Sequence, residues 1–169
     1  MDEPQGIAIR DLQPSDVEAY RKLLCDLSDR DRYYRFFRAV GDIGKDELIE
    51  GAPGYEVVGL LAEEDGRCVG VAHGVLSAAA DAEIDVVVES HERHHGIGTQ
   101  LVLCLIEQLR ARGTRLVIAY SLPDNFAFAE VARACGFSGS FDPELRWTTW
   151  RLSLTSREPL PSIPTVNIS

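Results

Sequence analysis

The chain has 169 residues, 45% apolar and 26% charged, which is one domain's worth of sequence with enough apolar content for a proper core. Its 17 basic and 27 acidic residues leave a net charge of -10; this argues against broad non-specific nucleic-acid binding, although one local basic loop suffices for a polyanionic cofactor. No apolar run nears the roughly 20 residues of a membrane helix, and Met1-Asp2-Glu3-Pro4 lacks the form of a secretion signal. Cys25, Cys68, Cys104 and Cys135 are far apart and show no metal-ligand spacing, so no metal is expected. They read as reduced thiols of a cytoplasmic protein, each a buried filler rather than a nucleophile.

In chain order, Ile7 to Arg10 alternates enough for a first strand. Ser15-Asp16-Val17-Glu18 has the Ser-x-x-Glu form of a capping box, which predicts a helix starting at Ser15, with Val17, Tyr20, Leu24 and Leu27 on one face. Ser28 to Asp31 reads as a second cap. Behind it, Tyr33, Tyr34, Phe36 and Phe37 stand among Arg32, Arg35 and Arg38, either as core with solvated arginines or as a wall of an acceptor cleft. A short helix is expected over 45–50, between glycine-rich breaks. Glu56 to Glu63 and Cys68 to Leu76 are strands joined by the turn Glu64-Asp65-Gly66, and Glu83 to Val88 completes an antiparallel meander.

The stretch from Glu89 to Val102 organises the rest. A β-branched run, Ile84 to Val88, feeds a glycine-bearing loop that opens a helix. Such a junction aims backbone N–H groups and the positive end of a helix dipole at one point, where a phosphate can sit. Gly96 and Gly98 allow close approach, and Arg93, His94 and His95 add charge and donors. The helix carries Leu101, Val102, Leu105, Ile106 and Leu109 on one face and stops at Gly113. Thr114 to Tyr120 is the next strand, parallel to the one before the loop. Pro123-Asp124-Asn125 caps a helix running to Cys135, closed by Gly136-Phe137. Trp147 to Leu154 is the last strand, with Trp147 and Trp150 facing opposite ways. Residues 1–155 thus read as one domain and 156–169, with three prolines, as a flexible tail.

The loop lacks the third glycine of a dinucleotide fingerprint and the Gly-Lys-Ser/Thr of a nucleoside-triphosphate loop. Its form, Arg93-x-x-Gly96-x-Gly98, resembles the pyrophosphate loop of the GNAT superfamily of acyl-CoA-dependent N-acyltransferases, and the order of elements from Ile7 to Leu154 is similar to that family's as well. The resemblance implies an α/β (α+β) GNAT-like fold. Its sheet would be mixed, mostly antiparallel, of about six or seven strands with a splayed central parallel pair, flanked by about four helices. It further implies that acetyl-CoA binds as co-substrate. Backbone groups of Asp85, Val86 and Val87 would meet its pantetheine arm, residues 93–98 including Ile97 its diphosphate, Asn125 the arm again, and Arg133 its far end. Leu27-Ser28, Arg32 to Phe37 and Ala82-Glu83 resemble more narrowly the catalytic domain of bacterial protein lysine acetyltransferases.

The resemblance gives Glu83 the role of general base. An alkylamine with a pKa near ~10.4 is mostly protonated at neutral pH and must lose a proton before it attacks. Ala82, Ile84 and Val86 suggest that desolvation raises the carboxyl's pKa; Asp85, on the same strand face, is the nearest rival. A strand amide near Val86 or Val87 would serve the oxyanion. Many relatives protonate the departing thiolate with a tyrosine four residues before the Gly-Phe pair; here that position is Ala132, and Tyr120 is a possible substitute. His94 and His95 either bond phosphate or face water, while His73 and His91 read as structural or solvated. Three functions follow: acetylation of protein lysines, the same chemistry on a small amine or amino acid, or a CoA-binding regulatory domain without turnover. Oligomeric state is left open.

Overall fold

The computed structural model describes residues 6–36, 56–90 and 96–155. The helix expected over 45–50, His91, the loop residues Arg93, His94 and His95, and the tail lie outside the described residues. The chain order is β1 (Ala8–Asp11), a 3-10 turn (Pro14–Asp16), α1 (Val17–Asp26), α2 (Asp29–Phe36), β2 (Glu56–Glu64), β3 (Arg67–Leu76) and β4 (Asp81–Val88). It continues with α3 (Ile97–Ala111), β5 (Leu116–Ser121), α4 (Phe126–Ala134), β6 (Ser138–Asp142) and β7 (Trp147–Ser153). One seven-stranded sheet runs β1-β2-β3-β4-β5-β7-β6, with β4–β5 its parallel pair and the other neighbours antiparallel. The expected mixed sheet with a central parallel pair is therefore present.

Local chemistry explains most boundaries. Asp65 and Gly66 adopt φ of 50° and 75°, the left-handed pair that a two-residue hairpin turn demands. Ser28 Oγ accepts from Asp31 N at 3.1 Å and starts α2. Gly136 turns left-handed at φ 90°, so that Phe137 N reaches Ala132 O at 3.0 Å and closes α4. Ser15 does not cap α1: Asp16 Oδ2 accepts from Gln13 N at 2.7 Å, a 3-10 turn intervenes, and α1 begins at Val17. Asp16 is also gripped by Arg10 at 2.7 and 2.9 Å, and that hydrogen bonding holds its carboxyl below the usual range.

β6 escapes a periodicity reading because Ser138-Gly139-Ser140-Phe141 is an exposed edge with little apolar alternation. It pairs with β7 because Gly139 admits the Trp150 indole; a Cβ there would lie 2.7 Å from the ring. The Asp142 carboxylate closes the hairpin by accepting from Glu144 N and Leu145 N at 2.8 and 3.0 Å.

Helices cover both faces of the sheet. On one, α3 and α4 bury Leu101, Leu105, Ile106, Leu109, Ala129 and Ala132 against Leu60, Val69, Ala82, Ile84 and Val117. On the other, Tyr20, Leu23 and Leu24 of α1, with Leu27 just past its end, cover Leu61, Val71 and Val87. Gly70 and Gly74 bring β3 close to α3, since added Cβ atoms would stand 3.0 Å from Leu101 and 3.1 Å from Leu109. Among the described residues no helix is long and apolar enough to cross a membrane.

The cysteines are free, but only Cys135 is buried, contrary to the expectation of four buried thiols: Cys68 and Cys104 are half-buried, and Cys25 is exposed on the solvent side of α1, away from the Tyr20–Leu24 face. Burial pushes Cys135 up from 9.0 to about 12 and Cys68 to about 11. Native protein at pH 8 should therefore label with iodoacetamide at Cys25 first and at Cys135 only after unfolding, as peptide mapping would show. Because these folded-state thiols hold their protons above the value at which unfolded thiols lose them, their contribution to stability is complete below pH 9 and falls as pH rises toward 12.

Candidate active site

The site begins with the alternation of β4. Ala82 and Ile84 are buried against α3, so Glu83, Asp85 and Val87 point to the α1 side. α1 covers Val87, but Glu83 is exposed. The desolvation expected from Ala82 and Ile84 thus does not operate, because those side chains lie across the sheet from the carboxylate. Asp85 is half-buried, opposite His73 in the β3–β4 register. His73 is 5% exposed, with Nδ1 3.6 Å from Asp85 Oδ1 and 3.4 Å from the Tyr20 hydroxyl. It is buried between Tyr20 and Asp85, and its approach to Asp85 depends on a cross-strand register that spacing along the chain does not show.

The β4–β5 ladder ends at Glu83↔Ile118, although β4 continues to Val88 and β5 to Ser121. Beyond that rung the strands diverge into a cleft of about 730 Å3. Its lining brings together most of the residues predicted to serve a site: Glu83, Asp85, Val86, Val87, Gly96, Ile97, Gly98, Tyr120 and Asn125. Gly96 caps α3 in the left-handed region, at φ 79°, and the first turn of this 15-residue helix faces the cleft. Gly98 is wedged between walls, since a Cβ there would sit 3.3 Å from Val131 and 3.5 Å from Val88. Asn125 caps α4, its Oδ1 accepting from Phe128 N at 3.2 Å, which leaves its NH2 to offer the cleft. Tyr120 shares the Glu83 face and packs 5.6 Å from Trp147.

One predicted residue is elsewhere. Arg133 lies outside this cleft: α4 turns Phe128 and Val131 toward it, and Ala129 and Arg133 toward β7. The guanidinium stacks 5.4 Å above Trp150 instead, beside a smaller cavity of about 370 Å3. Ala132 is buried in the core and contributes nothing to the cleft.

α2 forms the outer wall. Arg30 donates to the Tyr34 hydroxyl at 2.7 Å, that hydroxyl donates to Asp124 O at 3.3 Å, and Arg30 approaches the Asp124 carboxylate at 3.7 Å. Of the two readings of the aromatic run, Tyr34 is therefore cleft wall and Tyr33, 44% exposed, is not core. Phe37 lies outside the described residues.

A parallel pair that parts beside a helix N-terminus offers an extended ligand strand-edge pairing on one side and phosphate-binding amides at its end. That arrangement fits an acyl-CoA thioester, and it defines the class as an acyl-CoA N-acyltransferase. Residues 19–137 match the model of the Acetyltransferase (GNAT) family, and the chain belongs to that family. It is an acetyl-CoA-dependent N-acetyltransferase.

Solved structures agree on the fold. The GNAT domain of S. lividans PAT superposes with a TM-score of 0.78 at 21% identity, covering 86% of this chain and 89% of that one. The ribosomal-protein-S18-alanine N-acetyltransferase from Escherichia coli gives 0.65 at 15% identity, covering 97% and 99%. The aminoglycoside acetyltransferase AAC(6')-Ib, solved with coenzyme A, gives 0.68 at 15%, covering 88% and 95%.

Proposed function

We propose that this protein transfers acetyl from acetyl-CoA to the side-chain amine of protein lysines by direct attack, with Glu83 as general base. The observation that carries the reading is the electrostatics of the cleft. Asp31, Glu83, Asp85, Asp124 and Glu130 line it against Arg30 alone among the described residues. An alkylammonium is drawn to such a wall, and Glu83 stands exposed at its floor where the strands part.

Acetyl-CoA supplies the activated thioester. Val86 and Val87 would hold its extended arm along β4, Asn125 would donate to it from the other wall, and Gly96, Ile97 and Gly98 would meet its diphosphate together with Arg93, His94 and His95. Glu83 takes one proton from the ammonium, and the freed nitrogen attacks the carbonyl carbon. The N–C bond forms as C–S breaks with its electron pair leaving on sulfur, and the second amine proton neutralises the thiolate. A β4 amide near Val86 or Val87 serves the developing oxyanion. The tyrosine acid common in the family has no counterpart at Ala132, so the thiolate leaves unassisted or takes a proton through Tyr120, which lines the same cleft.

The test is incubation with labelled acetyl-CoA, a lysine peptide and a cell extract. Label in the peptide and in protein bands is expected. Label confined to small molecules would move the acceptor to a free amine or amino acid, and none at all would leave a cytoplasmic CoA-binding domain without turnover.

A further inference from the structure

Glu83 needs a source of proton affinity, and its surroundings do not supply it by burial: it is exposed, and Ala82 and Ile84 face α3. A second acid stands beside it. Asp85 is two residues on along the same strand face, about 6.6 Å away at the strand rise. Its side chain is 32% exposed and faces His73 across the strand pair, with His73 Nδ1 3.6 Å from Oδ1. His73 in turn has little freedom. It is buried, its Nδ1 is 3.4 Å from the Tyr20 hydroxyl, and its Cδ2 lies 3.3 Å from where a Cβ on Gly59 would stand.

We propose that Asp85, opposite His73 at the cleft floor, is a positioning residue that raises the proton affinity of Glu83 by like charge, and so makes it a better base for an ammonium. Two carboxylates on one face resist ionising together, and glutamate, whose ordinary pKa of ~4.3 lies above the ~3.9 of aspartate, is the first of the pair to take up a proton. Among the described residues, the other titratable groups lining this cleft are Tyr120 from β5, Arg30, Asp31 and Tyr34 from α2, Asp124 from the β5–α4 turn and Glu130 from α4, while Tyr20 of α1 stands behind His73. Arg30 is already engaged by Tyr34 and Asp124. The inference rests on the reading of Glu83 as the base.

The experiment is the pH profile of kcat/KM for the amine, with acetyl-CoA saturating, in wild type, E83Q, D85N and D85E. In D85N the acid limb should move down by about 1 pH unit, while melting temperature and acetyl-CoA Kd stay at wild-type values. D85E should restore part of the limb. A D85N limb superposed on wild type overturns the inference alone. D85N as inactive as E83Q overturns it too, by making Asp85 the base. An E83Q protein as fast as wild type removes the underlying reading along with it. Should D85N fail to fold, carbon-13 titration of the Glu83 carboxyl in wild type decides. A midpoint above the ordinary ~4.3 supports the inference, and one at or below it is the contrary result.

Discussion

An E83Q protein is expected to release CoA from acetyl-CoA in the presence of a lysine peptide about 100- to 10,000-fold more slowly than wild type. Glutamine keeps the shape of the side chain and removes only its ability to take a proton. The position favours a clean result. Glu83 is exposed, and its strand neighbours Ala82 and Ile84 lock β4 into the core on the other face. Acetyl-CoA affinity, read by calorimetry, should be unchanged, because the groups proposed to hold the cofactor lie beyond the last β4–β5 rung and at the start of α3. A loss of kcat/KM that disappears when the peptide is assayed well above pH 10 would strengthen the case, since a free amine needs no base. E83Q turning over at the wild-type rate at neutral pH would take Glu83 out of the mechanism.

What the amino-acid sequence discloses here is local chemistry. Asp65-Gly66, Asn125, Gly113 and Gly136 each mark a turn or cap through their own backbone preferences, and each stands where expected. The strand period puts Glu83 and Asp85 on one face without any knowledge of neighbours. What covers each face is a different matter. Desolvation of Glu83 was inferred from adjacent residues, yet adjacent residues on a strand are on opposite sides of the sheet. The family resemblance implies Arg133 at the far end of the cofactor, but the helical turn carries it over Trp150, a partner 17 positions away that only the β5-β7-β6 order brings near. β6 was missed because its reason for existing is a glycine that admits that same indole. Even the His73–Asp85 contact needs the β3–β4 register before it can be seen. Properties that depend on pairing across the sheet are thus the ones that spacing along the chain hides.

The largest effect on stability is expected from Leu105→Ala. Leu105 is fully buried in the middle of α3, and its Cδ1 lies 3.5 Å from where a Cβ on Gly74 would stand. Because Gly74 has no side chain, nothing on β3 can move in to fill the space a truncated Leu105 leaves, so the cavity term is added to the lost burial. Leucine-to-alanine changes of this kind cost about 2–5 kcal/mol. At roughly 2–4 °C per kcal/mol for a chain of this size, the melting temperature should fall by roughly 4–20 °C. Leu105→Met, which nearly conserves volume, should cost less than about 1.5 kcal/mol. The chemistry should respond differently. Nine residues separate Leu105 from the Gly96 cap, about 13 Å of helix, and the cap is held by its own contacts with Val88 and Val131 through Gly98. Leu105→Ala protein assayed well below its melting temperature should therefore retain wild-type acetyl-CoA affinity and turnover per folded molecule. If affinity falls while the protein is still folded, the mouth of the cleft is braced by the whole length of α3 rather than by its first turn, and the site is less separable from the core than the contacts around Gly98 indicate.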